Sequence, residues 1–319
     1  MQMSERIKEK PESSRLVFDN ILFATDLSVA SEVTLRYAVT LARQYHGKIY
    51  IVPAIAIDAI TAIGETARQD ALHKARTRVS DWAEKGPVFA RLCYVRHEIF
   101  VGEELEKAVA RLMEQQAFDL AVNGVASRQG EAVVLEPTLE EAVRRTRCPV
   151  MTAGPEVLAT DDGKVQTIVY GADFSPESLE ASRYAISLAQ EFQARLTLVH
   201  VVEGAEPTML RDREREARSY ALWLSKLVPD EARLWSEIEF AVEFGRPAER
   251  ILHSAWESHA NLIVLGAHGL ERLVTPGRNV RQVMGNSWCP VITVPGTLDG
   301  EKQERFWRAA QAASRGHAE

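Results

Sequence analysis

At 319 residues, 46% hydrophobic and 26% charged, the chain has the composition of a globular protein and the length of two ordinary domains. A formal net charge of −7 argues against nucleic acid or an anionic membrane as a partner, and no apolar run is long enough to span a bilayer or to form a secretory core. Three cysteines without paired spacing point to a reducing cytoplasm.

In chain order, residues 1–17 read as a charged, disordered arm. Short apolar runs then alternate with helical patterns: ILFAT, KIYIVPAI, the alternating VRHEIFV, DLAVNG and CPVMTAG are strands of a domain spanning 18–154. The stretch GPEVLATDDGK supplies a linker, placed at 155–164, because Pro, Gly and consecutive acids break periodic structure. TIVYGA, RLTLVHVV, the alternating IEFAVEF, NLIVLG and CPVITVPG are strands of a second domain over 165–297, followed by a charged tail, 298–319. Continuous Val, Ile and Leu runs suit parallel strands covered on both faces. Between them, Leu105, Val109 and Leu112 in one half, and Ala248, Ile251, Leu252 and Ala255 in the other, recur at helical spacing. The fold class expected is therefore α/β: two tandem doubly wound, five-stranded parallel-sheet domains. Helical insertions follow the second strand of each, around Asp58–Lys85 and Thr208–Leu227, and AIAIDAITAIG in the first is apolar enough to cover a partner surface.

The two domains are copies of one another. Asp26 pairs with Asp173, Ser28 with Ser175, Tyr37 with Tyr184, Gly102 with Gly245 and Gly124 with Gly266. Cys148-Pro149-Val150 pairs with Cys289-Pro290-Val291, and both cysteines, heading apolar runs, are expected to be buried. Strand five of one half can pair antiparallel with strand five of the other, an internal pseudo-dimer that covers two edges. Association of two chains and a protein partner are left open.

Ligands of doubly wound sheets bind at the carboxyl ends of the strands, which directs attention to the loops there. Ser175-Pro176-Glu177 has the N-cap oxygen, fixed φ and first-turn acid of a helix start. Asp173 has two readings, an acceptor for the exocyclic amine of a base or a carboxylate holding its own loop. After NLIVL come Gly266-Ala267-His268-Gly269 and, further on, Gly277-Arg278-Asn279, with Asn279 and Gln282 reading as a capping box. Glycines admit a phosphate to the backbone, and Arg272, Arg278 and Arg281 give that helix mouth positive charge. The first-half counterpart carries Glu136, Glu140 and Glu141, with a capping box at Thr138 and Glu141. Three carboxylates there repel phosphate.

These residues resemble the universal stress protein family in its tandem form, over about residues 18–296. The carriers are the aspartate after strand one, Val199-His200-Val201 at the end of strand two, Cys-Pro-Val before strand five and the glycine loop after strand four. The resemblance implies a Rossmann-like fold shared with ATP-pyrophosphatases and electron-transfer flavoproteins. It also implies an adenine-nucleotide site in the second domain, built from Gly171, Ala172, Asp173, Val201, Leu265, Gly266, Gly269, Gly277, Arg278 and Asn279. Asp173 would face the base, Val201 would line its pocket, and Gly266, Gly269 and Gly277 would approach ribose and phosphate. The ligand implied is ATP, ADP or AMP, with Mg²⁺ if ATP, and otherwise none.

Two departures stand out. Seven residues, not nine, separate Gly269 from Gly277, and Arg278 stands where the family has a small hydroxyl residue, either clamping phosphate or plugging the site. In the first half Ser127 replaces the second glycine, Glu136-Pro137 the turn, and Ala54 the position of Val201, which implies a degenerate copy. His253, Glu257 and His259 share one helical stretch and read as polar-face residues rather than metal ligands. His200 and His268 read as pocket lining, with no carboxylate beside either to make a catalytic base. The expectation is a cytoplasmic, non-catalytic stress-response regulator. A nucleotide-independent interaction scaffold is the alternative, and a slow ATPase or phosphotransferase comes third.

Overall fold

The computed structural model describes residues 16–25, 29–53, 95–99, 118–123, 128–129, 132–133, 148–154, 156–157, 163–204, 210–267 and 277–296, with isolated positions between 73 and 84. The loop of Asp26 and Ser28, the AIAIDAITAIG stretch, the helix of Leu105 to Leu112 and the acidic mouth at Glu136 to Glu141 lie outside the described residues. So do residues 268–276, with His268, Gly269 and Arg272, and the tail from 297.

The first half places β1 (Asn20–Thr25), β2 (Lys48–Pro53), β3 (Arg96–Ile99), β4 (Leu120–Asn123) and β7 (Val150–Thr152) in the main sheet, with helix α1 (Val29–Tyr45) after β1. A small antiparallel hairpin, β5 (Arg128–Gln129) and β6 (Ala132–Val133), interrupts the stretch after β4. Two-residue strands are too short for any alternation to show in the sequence. The second half repeats the plan with β8 (Thr167–Ala172), β9 (Arg195–Val202), β10 (Ile238–Phe244), β11 (Leu262–Ala267) and β12 (Val291–Pro295). Its helices are α2 (Pro176–Phe192), α3 (Leu210–Leu227), α4 (Pro247–Glu257) and α5 (Arg278–Asn286).

All ten main strands form one sheet in the order β10-β9-β8-β11-β12-β7-β4-β1-β2-β3. Within each half the pairs are parallel. The halves meet where β12 runs antiparallel to β7, with Ile292 opposite Met151 at the centre of the pseudo-dyad. Thr293 Oγ1 donates to the Val150 carbonyl across this seam at 3.3 Å. Two edges that would otherwise template aggregation thus satisfy one another, the antiparallel strand-five pairing that the sequence suggested.

Alternation along the strands sorts the core onto two faces. On one face Ile168, Tyr170, Leu196, Leu198 and Val264 pack under α2 and α3, in a cluster continuous with Phe23, Ile49, Ile51 and Val122 of the first half. On the other, Val169, Val199, Ile263 and Leu265 pack under α4 and α5, through Ala248, Ile251, Ala255, Val283 and Met284. Cys148 and Cys289 are buried, as expected of cysteines heading apolar runs. The first face also bridges the halves at its surface, where the Gln44 side-chain amide donates to the Glu191 carbonyl at 3.2 Å and to its carboxylate at 3.1 Å.

The repeat holds at the level of single hydrogen bonds. Both α1 and α2 end in a left-handed residue, His46 at φ 57° and Gln193 at φ 51°. The next amide closes each helix, Gly47 to the Ala42 carbonyl at 2.8 Å and Ala194 to that of Ala189 at 2.9 Å. Ahead of strand four, Asp119 Oδ2 accepts from the amide of Asn20 at 2.9 Å, and Asn261 Oδ1 from that of Thr167 at 2.8 Å.

Candidate functional site

The carboxyl ends of β8, β9 and β11 open on a cleft of about 200 Å³ beneath α4 and α5. Its floor is Gly171, Ala172, Val199, Val201 and Leu265; Pro247 and Ile251 of α4 and Val280 and Val283 of α5 form the walls; Asp173, Glu203, Gly266 and Asn279 stand at the mouth. Small-molecule sites of roughly 300–1,000 Å³ enclose most of a drug-sized ligand. A cleft below that range has room for only part of such a ligand.

Three glycines around this cleft have three different causes. A Cβ on Gly171 would lie 2.6 Å from Leu265 Cδ2 and 2.9 Å from Ile251 Cδ1, so its bareness lets those side chains close the floor. A Cβ on Gly266 would lie 2.5 Å from the amide nitrogen of Ser178 and 2.6 Å from the carbonyl carbon of Glu177. The backbone of α2 presses against β11 there, and packing alone requires the glycine. Gly277 is different: a Cβ would meet nothing within 4 Å. Its φ of −55° is open to any residue, so among the described residues neither sterics nor backbone demands a glycine at that place.

The first loop is a closed hydrogen-bonded turn. Asp173 Oδ1 accepts from the amide of Ser175 at 2.9 Å, and the Asp173 amide donates to Ser178 Oγ at 3.1 Å. Ser175 caps α2 by accepting from the amide of Ser178 at 3.1 Å, the N-cap its Ser-Pro-Glu sequence indicated. The buried Tyr170 hydroxyl donates to the Ser178 carbonyl at 2.7 Å and lies 2.7 Å from Ser178 Oγ. Burial pushes its pKa well above the ordinary phenol value. The loop-holding reading of Asp173 is thus present in one carboxylate oxygen, while the residue also stands at the cleft.

Helix α5 contrasts with α2. It begins at Arg278 after Gly277 at the N-cap, and among the described residues no side chain caps it. Asn279 lies inside the first turn, so the Asn279–Gln282 capping box read from the sequence does not form. The helix starts two residues earlier, because Gly277 takes the extended N-cap conformation (ψ 160°) and its carbonyl already accepts from the Arg281 amide at 3.0 Å. Among the described residues the first-turn amides of α5 therefore have no side-chain acceptor, beside a cleft that Asn279 and Val280 line.

Of the sequence-derived site residues, Gly171, Ala172, Asp173, Val201, Leu265, Gly266 and Asn279 come together here. Gly277 and Arg278 stand at the start of α5 without lining the cleft, and Arg278 is exposed rather than plugging it. Gly269 lies outside the described residues. His200, read from sequence as pocket lining, faces the other side of the sheet, because it alternates with Val199 and Val201. Its Nδ1 donates to the Ala172 carbonyl at 2.7 Å, and desolvation by burial lowers its pKa. Sequence reasoning missed Val199 and Glu203, which the same period-two rule around Val201 could have found. It also missed Pro247, Ile251, Val280 and Val283, whose i,i+4 and i,i+3 spacings mark helix faces without saying which cleft they cover. Among the described residues no group of three His, Cys, Asp or Glu side chains could hold a metal ion.

Comparison with known proteins gives one family. The sequence model of the universal stress protein family matches twice, over residues 18–153 and 164–295. A universal stress protein of Methanocaldococcus jannaschii is 31% identical over 151 residues, covering 43% of this chain and 86% of that protein. Another, from Thermus aquaticus, is 31% identical over 142 residues, covering 40% of this chain and 98% of that one. Among solved structures, a universal stress protein from Archaeoglobus fulgidus superimposes with a TM-score of 0.60 at 18% identity, over 87% of this chain and 98% of its own. One from Pseudomonas aeruginosa reaches 0.50 at 14% identity, over 92% and 98%. At such identities the structural likeness speaks to the fold alone.

Proposed function

The chain belongs to the universal stress protein family, carrying its domain twice, and from that premise we propose that the second domain alone binds an adenine nucleotide and that the protein acts as a ligand-responsive regulator. The observation that carries this is Gly277. Packing explains Gly171 and Gly266, but nothing within the described residues requires a glycine at 277, where the backbone enters an uncapped helix beside the cleft. Its N-cap position favours a glycine over an alanine, and a ligand group coming close to the main chain is a second physical reason; first-turn amides without a side-chain acceptor among the described residues favour an anionic one.

Under this reading the base lies between Val199, Val201 and Leu265 below and Ile251 and Val283 above, with Asp173 accepting from its exocyclic amine. Glu203 stands where a ribose hydroxyl can donate to it. The phosphates run toward the amides of α5, with Arg278 and Arg281 on the approach. Mg²⁺, if ATP is the ligand, belongs to the phosphates rather than to a protein cage. The nucleotide-independent scaffold remains the second reading, favoured by the two carboxylates at the mouth. Among the described residues no positioned base favours a catalytic role.

Thermal unfolding with millimolar ATP, ADP and AMP, with and without Mg²⁺, tests the reading. A ligand present at 100 times its Kd stabilises the native state by about 2.7 kcal/mol, a shift of several degrees. Unchanged unfolding with all three, in protein freed of carried-over nucleotide, would move the assignment to the scaffold.

A further inference from the structure

The turn that brings Asp173 to the cleft is held from the opposite face of the sheet. Phe174, the next residue, has a φ of 59°, in the left-handed region that a bulky side chain rarely adopts. Its ring is 2% exposed and packs among three others. It lies 4.8 Å from His200, 6.3 Å from Tyr220 with the planes 15° apart, and 5.7 Å from Trp223 edge-on. His200 and Tyr220 are 4.2 Å apart, and Tyr220 and Trp223 5.4 Å. Tyr220 and Trp223 belong to α3, the insertion after β9, and His200 ties the cluster to the Ala172 carbonyl at 2.7 Å. Ala172 and Asp173 line the cleft; none of the four rings does.

We propose that Phe174, His200, Tyr220 and Trp223 are positioning residues that hold the Ala172–Ser175 turn in its strained form, so that docking of α3 and occupancy of the cleft are one coupled equilibrium. A glycine would take this φ without cost, so the phenylalanine serves here through its ring and not its backbone. A strained residue persists only where its surroundings over-determine it, and here the surroundings are the rings of α3. Released from them, Phe174 relaxes out of the left-handed region. The bonds from the Asp173 amide to Ser178 Oγ and from the Ser175 amide to Asp173 Oδ1 then open, and the carboxylate leaves the cleft. The dependence is mutual, because Leu224 is the one fully buried residue of α3 and Tyr220 and Trp223 supply much of its remaining hold on the core. Linkage then requires that whatever stabilises the turn, a ligand included, stabilises docked α3 by the same factor. Only the ligand part of this coupling rests on the nucleotide reading above.

Native-state amide exchange of the full chain tests it. In ligand-free protein, Tyr220→Ala is expected to speed exchange at the Asp173 and Ser175 amides about tenfold or more, with strand amides such as Ile263 unchanged. Tyr220→Phe, which keeps the ring, restores wild-type exchange at both. Phe174→Gly, whose backbone suits the turn, is expected to loosen Tyr220 to Leu224 of α3. In wild type, ATP with Mg²⁺ slows exchange in α3, and in Phe174→Gly that response is lost. The proposal is overturned if Tyr220→Ala leaves the Asp173 and Ser175 amides within about twofold of wild type. It is also overturned if ATP protects the cleft residues without protecting α3. If ATP protects nothing anywhere, the nucleotide reading falls, and the ligand-free exchange of Tyr220→Ala still decides the positioning role.

Discussion

In the first half Ala24 stands opposite Asn123 across β1 and β4; at the matching place in the second half Gly171 stands opposite Leu265 across β8 and β11. At the other end of the same strands the halves are nearly interchangeable, with Asp119 and Asn261 accepting the same backbone bonds and His46 and Gln193 ending the first helices in the same left-handed conformation. The carboxyl ends, where doubly wound sheets bind ligands, are where the copies have diverged. In the second half a bare Gly171 lets Leu265 and Ile251 close an apolar floor. In the first, a methyl group and a buried amide occupy that place. Among the described residues the amino-terminal ends keep a common framework and the carboxyl ends differ, which is what the one-cleft proposal turns on.

The sharpest break in this comparison is expected from the glycines. Gly266→Ala drives a Cβ into the backbone of α2 and should cost about 3 kcal/mol in chemical denaturation, with or without nucleotide. Gly277→Ala meets open space, so stability should hold within about 1 kcal/mol while ATP affinity falls. Equal stability losses from the two would remove the distinction between a packing glycine and a ligand glycine.

Next in size are the paired aspartates. Asp173→Ala should weaken ATP binding about tenfold or more, the loss expected for a bond to a charged acceptor, and Asp26→Ala should leave it unchanged. Matched losses at both would make the halves equivalent.

A smaller effect concerns pH. Burial lowers the His200 pKa, opposed by its bond to Ala172 and by the charges of Asp173 and Glu216. The unfolded chain takes up this proton near pH 6.5 and the folded chain resists it, so the stability is present above about pH 6.5 and is lost as pH falls through the lowered folded value. Denaturation midpoints at about pH 5 and about pH 7.5 should show the slope, and His200→Gln, which keeps a donor for Ala172, should flatten it.

The smallest change sharpens the kinship of the halves. Burial raises the Asp119 pKa, helped by the charge of Asp19, so the ionised carboxylate is held at a cost as pH rises above the ordinary carboxylate range. Asp119→Asn installs the residue that the second half uses as Asn261, and should stabilise the protein by up to about 1 kcal/mol at neutral pH. A clear destabilisation would show that the two acceptors, Asp119 and Asn261, are not equivalent.

Much of this architecture was legible because it is local and repeated. Continuous apolar runs marked the parallel strands, alternation marked β10, and the paired Cys-Pro-Val segments marked the seam. Ser175 announced its helix because an N-cap oxygen, a proline and an acid coincide. The less legible parts depend on tertiary context. The start of α5 was misplaced because its N-cap is a glycine, which carries no side-chain signal, whereas Asn279 two residues on imitates one. His200 was put on the wrong side because proximity in sequence to Val201 says less than the pleat, which sends neighbours to opposite faces. Ile251 and Val283 were visible as helix-face residues but became cleft walls only once the crossovers laid α4 and α5 over the sheet. The strained Phe174 had no signature at all, since nothing in Asp-Phe-Ser declares a left-handed residue.

The central claim, one working cleft in a duplicated chain, is tested most directly by the stoichiometry of ATP binding in an isothermal titration, with Asp173→Ala run alongside. The account predicts one nucleotide per chain, lost in the variant. Two per chain, or one that survives Asp173→Ala, would contradict it.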